Sequence, residues 1–199
     1  MDRSWKVYYE ANDARAPRDM LLEALDAFGP GEHRAADLGC GAGIDTLAML
    51  ERGWSVYATD AEPEAIHRLE ARVPATLSPR LTTAVVPMEA VVLPSVDLLW
   101  AGYSLFFCRP DRFADVWSTI RSAVRPGGRF GGQLLGDRDT WAPKDDISSF
   151  TQDGARALFD GWSIERFDEE DEDGQACSGP KHWHVFHVVA RAPGTRGGP

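Results

Sequence analysis

A chain of 199 residues, 43% of them hydrophobic, has room for one globular domain with a substantial core and leaves two full domains cramped. Its formal net charge of −10 argues against a nucleic-acid binder, because affinity for a phosphate backbone rests on clustered Lys and Arg, and it would repel an anionic membrane. The three cysteines, Cys40, Cys108 and Cys177, are odd in number and far apart, which suits neither a disulfide framework nor paired metal ligands.

The N-terminal Met1-Asp2-Arg3-Ser4-Trp5-Lys6 lacks the apolar core of a signal peptide, and no stretch approaches membrane-spanning length, so a soluble, cytoplasmic protein is expected. Leu21, Leu22, Leu25 and Phe28 recur at helical spacing before Gly29-Pro30-Gly31, predicting an amphipathic helix with a sharp stop. A short buried strand follows over 35–38 and runs into a glycine turn. Next come a helix over 44–52, a strand over 55–59 ending at Asp60, and a helix over 62–72 with Pro63 in its first turn. Further strands are predicted over 81–86, 96–101 and 129–135, with a helix over 112–124 closed by Arg125-Pro126-Gly127-Gly128. A short helix over 153–159 precedes two strands, 162–167 and 183–190, separated by an acidic loop. Alternating strands and helices imply right-handed crossovers and a parallel sheet, and the last two strands imply an antiparallel hairpin at its edge. The expected fold is therefore α/β: a Rossmann-like, doubly wound, seven-stranded sheet, mostly parallel. Residues 1–34 are read as a helical N-terminal segment, 35–192 as the α/β domain and 193–199 as a flexible tail.

The turn after the first strand reads Asp37-Leu38-Gly39-Cys40-Gly41-Ala42-Gly43. Glycines there permit positive φ and let a helix N-terminus approach a ligand. A dinucleotide-binding turn wants its third glycine at position 44, which is Ile44. Asp60, ending the second strand, is placed to accept hydrogen bonds from ribose hydroxyls. Asp37, under the turn, would repel a pyrophosphate but suits a sulfonium cofactor with an ammonium-bearing head group. This stretch closely resembles the signature turn of class I S-adenosylmethionine-dependent methyltransferases. Leu105-Phe106-Phe107-Cys108-Arg109-Pro110, Pro126-Gly127-Gly128-Arg129-Phe130, Gly136-Asp137-Arg138-Asp139-Thr140-Trp141 and Lys181-His182-Trp183-His184-Val185-Phe186-His187 resemble more narrowly the tellurite-resistance-type enzymes and their bacterial relatives.

The resemblance implies that Asp37, Gly39, Cys40 and Gly41 hold the methionine part of S-adenosyl-L-methionine. It implies that Asp60 binds the ribose, that Ala61, Met88 and Glu89 lie near the adenine, and that Ala101 and Tyr103 line the methionine side and the pocket floor. Ligands of open α/β sheets bind beyond the carboxyl ends of the parallel strands, which nominates Tyr103, Ser104 and Phe106, then Asp137, Arg138, Asp139 and Trp141, for the acceptor side. The final strand runs the other way, so Lys181 and His182 begin at the same rim, with His184 two residues further on. His182 and His184 are read either as substrate contacts or general bases, or as satisfied histidines of an edge strand. No third ligand is evident, so no metal is expected. Tyr8 and Tyr9 either close the pocket as a lid or belong to an amphipathic helix, and Arg15 or Arg18 is a candidate partner for the cofactor carboxylate. The run Asp168-Glu169-Glu170-Asp171-Glu172-Asp173 is expected to be a solvated loop, with attraction of a cationic substrate as its functional alternative.

The expected activity is direct in-line methyl transfer to a small molecule, with His182, His184 or Asp137 as base where the acceptor needs one. Rival readings are an NAD-type oxidoreductase and a non-catalytic S-adenosylmethionine-binding domain. A monomer or homodimer that binds neither nucleic acid nor membrane is expected.

Overall fold

The computed structural model describes residues 5–12, 14–177 and 179–194. Two helices, α1 (Trp5–Asn12) and α2 (Asp19–Asp26), come first; α2 buries Met20, Leu21, Ala24 and Leu25 along one stripe. The nucleotide-binding half follows as β1 (Arg34–Leu38), α3 (Ile44–Glu51), β2 (Ser55–Asp60), α4 (Pro63–Arg72) and β3 (Leu81–Val85). The second half is β4 (Val96–Ala101), α5 (Pro110–Ala123), β5 (Val124–Gly136), β6 (Ser149–Phe150), α6 (Gln152–Ala157), β7 (Ser163–Ala176) and β8 (Gly179–Arg191).

The strands form one sheet in the order β3-β2-β1-β4-β5-β8-β7, with the two-residue β6 paired to β5. Pairing is parallel throughout except at β8, which runs antiparallel to both β5 and β7. Central strands buried on both faces carry near-continuous apolar runs, as in Val96-Asp97-Leu98-Leu99-Trp100-Ala101. One face packs Leu99, Phe130 and Phe186 against Phe113, Trp117 and Ile120 of α5. The other packs Leu98, Trp100 and Val56 against Leu21, Met49, Leu50 and Leu69 of α2, α3 and α4. The order in which strands are added reverses between the parallel β1 and β4, so a crevice opens beyond their carboxyl ends.

The doubly wound sheet and its terminal hairpin are as expected. The acidic run is not a loop. β7 and β8 are 14 and 13 residues long, and Asp168 to Asp173 is paired strand opposite His182 to His187. Alternation sends successive carboxylates to opposite faces, where β8 and Arg138 hydrogen-bond most of them, so the charge run is held within the sheet. Among the described residues no helix is long and apolar enough to cross a membrane. Residues 195–199 of the expected tail lie outside the described residues.

Candidate active site

The turn after β1 is clamped to the end of β2: the Gly39 and Cys40 amides both donate to the Thr59 carbonyl, at 2.8 and 2.9 Å. Gly39 and Gly41 have φ of 75° and 55°, which an L side chain rarely adopts. A Cβ on Gly39 would also collide with the side chain of Ser104, whose hydroxyl donates to the Leu38 carbonyl. Asp60 holds the turn from the other side, accepting the Gly41 amide at 2.9 Å and the Glu62 amide at 3.0 Å. Burial raises its carboxyl above the usual range while those backbone bonds oppose the rise.

Asp37 is buried beneath the turn and accepts the Thr46 hydroxyl at 2.6 Å. Burial, and then the neighbouring Asp45, push its carboxyl up to about 7. Asp45, in the first turn of α3, accepts Arg15 at 2.8 Å and the Trp100 indole at 3.1 Å. Arg18 lies 3.5 Å from the same carboxylate and stacks 4.3 Å above the Tyr103 ring.

Over this turn lies a cavity of about 840 Å³. Its walls bring together Asp37, Gly39, Cys40, Gly41, Asp60 and Ala61, and also Met88, Glu89, Tyr103 and Arg15. Ala101 is the exception among the expected cofactor residues: it is sealed in the core, and Gly102 reaches the cavity instead. Tyr9 sits at the cofactor end rather than with an acceptor, since its ring is the nearest group to Gly41 and burial, with Asp60 next, raises its hydroxyl.

Tyr8 lies beside Tyr9 against the turn, and Phe106 and Trp141 line the opposite end. Six other expected site residues, Asp137, Arg138, Asp139, Lys181, His182 and His184, do not line the cavity, and strand parity is the reason for the histidines. His182 and His184 point to the face of β8 away from it, whereas Trp183 lines it. His182 lies between Asp173 and Asp171 at 2.8 and 2.9 Å, and these carboxylates raise its pKa. His184 is wholly buried; its Nδ1 accepts the Arg138 amide at 3.0 Å, which leaves the proton on Nε2 to donate to Glu169. Asp137 lies beside it on the same outer side, 3.6 Å from Nδ1. Arg138 reaches outward to Glu169 and Asp171, both at 2.6 Å. Lys181 shares the cavity face of β8 but is buried against Asp139, so its ammonium is spent on that pair. Glu169, Asp171 and His184 bring ligand-type atoms within 4.8 Å of one another, but the Arg138 guanidinium already supplies the cation there.

The sequence reasoning passed over Glu170, Trp183 and His187. The signal for them was the other half of the same alternation: Lys181, Trp183, Val185 and His187 share one face of β8, and Glu170 the matching face of β7.

A closed turn with an acid at its base, an acid at the end of β2 and a sheet ending in an antiparallel hairpin define the class I S-adenosylmethionine-dependent methyltransferase fold. Residues 35–128 match the family model for the methyltransferase domain. An uncharacterized methyltransferase of Mycobacterium tuberculosis is 33% identical over 110 residues, 55% of this chain and 43% of that protein; the chain thus spans less than half the length of this curated relative. Among solved structures, TehB from Haemophilus influenzae superposes with a TM-score of 0.76 at 16% identity, covering 93% of this chain and 65% of TehB. The 1,6-didemethyltoxoflavin-N1-methyltransferase of Burkholderia thailandensis superposes with a TM-score of 0.68 at 20% identity, over 94% of this chain and 84% of that one. These two share the fold.

The residues present fit S-adenosylmethionine as the cofactor. Asp37 and Asp60 put two carboxylates at the end of the cavity that would take a cationic nucleoside, and the Gly39 backbone packs so close to Ser104 that a Cβ there would collide with it.

Proposed function

We propose that this protein is a methyltransferase that transfers the methyl group of S-adenosylmethionine to a small molecule in the cytoplasm. The observation that carries this reading is that the Asp37–Gly43 turn and an aromatic chamber are two ends of one cavity, so donor and acceptor share one enclosed space. The bound cofactor supplies an activated sulfonium methyl; the protein's share is positioning and exclusion of water. In this reading Asp60 accepts from the ribose hydroxyls and Asp37, once ionised, pairs with the head-group ammonium. Arg18, whose Nε has no hydrogen-bond partner among the described residues, and Arg15 are candidates for the carboxylate of that head group. Met88 and Glu89 flank the adenine. The α1 helix covers the site, with Trp5, Tyr8 and Tyr9 packed as an aromatic cluster against the turn and Phe107. Orientation of two reactants in such a space accounts for about 7–11 kcal/mol of barrier reduction.

Thermal denaturation with S-adenosylhomocysteine and with NAD(H) separates this reading from the oxidoreductase alternative, because a ligand that binds only the folded state raises the Tm. A rise with the first and none with the second is expected. Transfer of labelled methyl from S-adenosylmethionine to small-molecule extracts separates it from a non-catalytic binding domain; tight cofactor binding with no transfer to any acceptor sinks the proposal.

A further inference from the structure

The acceptor end is walled by five aromatic rings, those of Tyr103, Phe106, Phe107, Trp141 and Trp183. They meet at angles rather than in a flat stack: Tyr103 stands edge-on to Trp183 at 6.1 Å, and Trp141 to Trp183 at 5.7 Å. Such a box offers a planar ring both faces and edges, the two geometries in which aromatic groups attract. Lys181 occupies the far faces of Trp141 and Trp183, at 4.5 and 3.6 Å, and stiffens that wall.

One carboxylate opens into this end. Asp37, Asp45, Asp60 and Glu62 line the cavity around the glycine turn and Glu89 follows β3, whereas Glu170 lies beside Tyr103 and in the strand next to Trp183. Glu170 is held from behind by a continuous set of bonds. The Tyr103 amide donates to the Gln133 side-chain oxygen at 2.9 Å, which turns the Gln133 amide nitrogen toward His187 Nδ1 at 3.4 Å. Nδ1 therefore accepts, and the proton on Nε2 is donated to Glu170 at 2.9 Å. The Tyr103 hydroxyl lies near Glu170, on the cavity side of this set. Burial, with Glu170 adding to it, pushes that hydroxyl up to about 12, so it stays a donor at neutral pH. Tyr103 has φ of 55°, unique among the described non-glycine residues, a strained conformation of the kind that persists where surrounding contacts enforce it.

We propose that Glu170 is the general base of the acceptor half-site, with His187 as its positioning residue, and that the acceptor is a planar aromatic or heteroaromatic molecule bearing an N–H or O–H nucleophile. This rests on the methyltransferase reading. The acceptor's lone pair forms the bond to the methyl carbon, and the carbon–sulfur bond breaks with its electron pair passing to sulfur. The proton released from nitrogen or oxygen goes to the Glu170 carboxylate, and from there to solvent as product leaves. An acceptor that is already an anion needs no such base.

The test uses the full chain and three probes: 8-hydroxyquinoline, thiophenol (already a thiolate near pH 8) and n-butylamine. Calorimetry on protein loaded with S-adenosylhomocysteine is expected to show binding of the two aromatic probes and not of the amine. Glu170→Gln is expected to lower kcat toward 8-hydroxyquinoline by about 100-fold, with KM and cofactor Kd unchanged, and to cost thiophenol at least about tenfold less. Glu170→Asp should recover part of the rate. His187→Gln should lower kcat by a smaller factor, and should add nothing when combined with Glu170→Gln. Equal losses for the two aromatic acceptors overturn the base assignment, as does binding without transfer to either. Normal cofactor binding with neither aromatic probe bound overturns the acceptor class, while failure to bind S-adenosylhomocysteine overturns the underlying reading instead. Should Glu170→Gln not fold, Glu170→Asp and His187→Gln carry the same comparison.

Discussion

The two ends of the cavity are built by different means. The cofactor end is mostly backbone: a turn between β1 and α3, its amides fixed on Thr59 and Asp60, shaped by glycines that have no side chain to misplace. The acceptor end is side chains from four separate segments, namely the stretch after β4, the loop before β6, β7 and β8. A backbone site is specified within one short piece of chain and tolerates change around it. A side-chain site depends on the register of distant strands, and one step along β8 exchanges every residue that faces it.

If that contrast holds, a single atom in the turn outweighs any one wall residue. Gly39→Val is expected to abolish S-adenosylhomocysteine binding by calorimetry, since the new side chain meets Ser104 and a β-branched residue resists the positive φ held there; retained affinity would break the contrast. The next effect belongs to stability. Lys181→Met leaves Asp139 buried without its partner and should cost about 3–5 kcal/mol in urea denaturation. Adding Asp139→Leu should recover much of the loss; no recovery would show that Lys181 acts through packing on the two tryptophans.

Asp60→Ala should weaken S-adenosylhomocysteine binding by about 10–100-fold, the worth of a charged hydrogen bond, with little change in Tm. Full affinity in that variant would remove Asp60 from the site.

A subtler effect follows from Asp37. Its pKa of about 7 in the folded protein exceeds the ordinary 3.8, so between these values the folded state binds more protons than the unfolded one. Its contribution to stability therefore falls as pH rises across that window. An ammonium-bearing ligand favours the ionised form, so affinity should rise with pH up to about 7 and then level, with proton release near neutrality. Calorimetry in two buffers of different ionisation enthalpy measures that release, and Asp37→Asn should remove it. The smallest effect is expected at His182. Its partners hold its pKa high, so whatever it adds to stability is present below its ordinary pKa of 6.5 and is lost as pH rises through the raised value. His182→Ala should leave turnover unchanged, and a loss of kcat would mean that the outward face of the hairpin takes part in catalysis.

The strand–turn–helix that carries Asp37 to Gly43 is legible because each of its requirements is local: a buried apolar strand, glycines at turn positions and an acid at each strand end. Asp60, read from the end of the second strand, and Met88 and Glu89, implied by the family resemblance, also line the cavity. The hairpin misleads for an equally physical reason. Six consecutive acids read as solvated loop to any local rule, and nothing nearby in sequence announces that Arg138, His182, His184 and His187 will meet them from across the sheet. His182 and His184 have the chemistry of a base, which made them prominent; the pleat turned them to the wrong face.

The sequence by itself determined the alternation of strands and helices, the parallel sheet with its edge hairpin, and the cofactor turn, because these follow from periodicity and from backbone freedom at glycine. Only the tertiary structure decided which face of β8 lines the cavity, that Lys181 is consumed by Asp139, and that Tyr103, Gln133, His187 and Glu170 are linked in one hydrogen-bonded chain. Those outcomes depend on strand register between segments far apart in the chain, and the contacts that fix a register exist only once the sheet has formed.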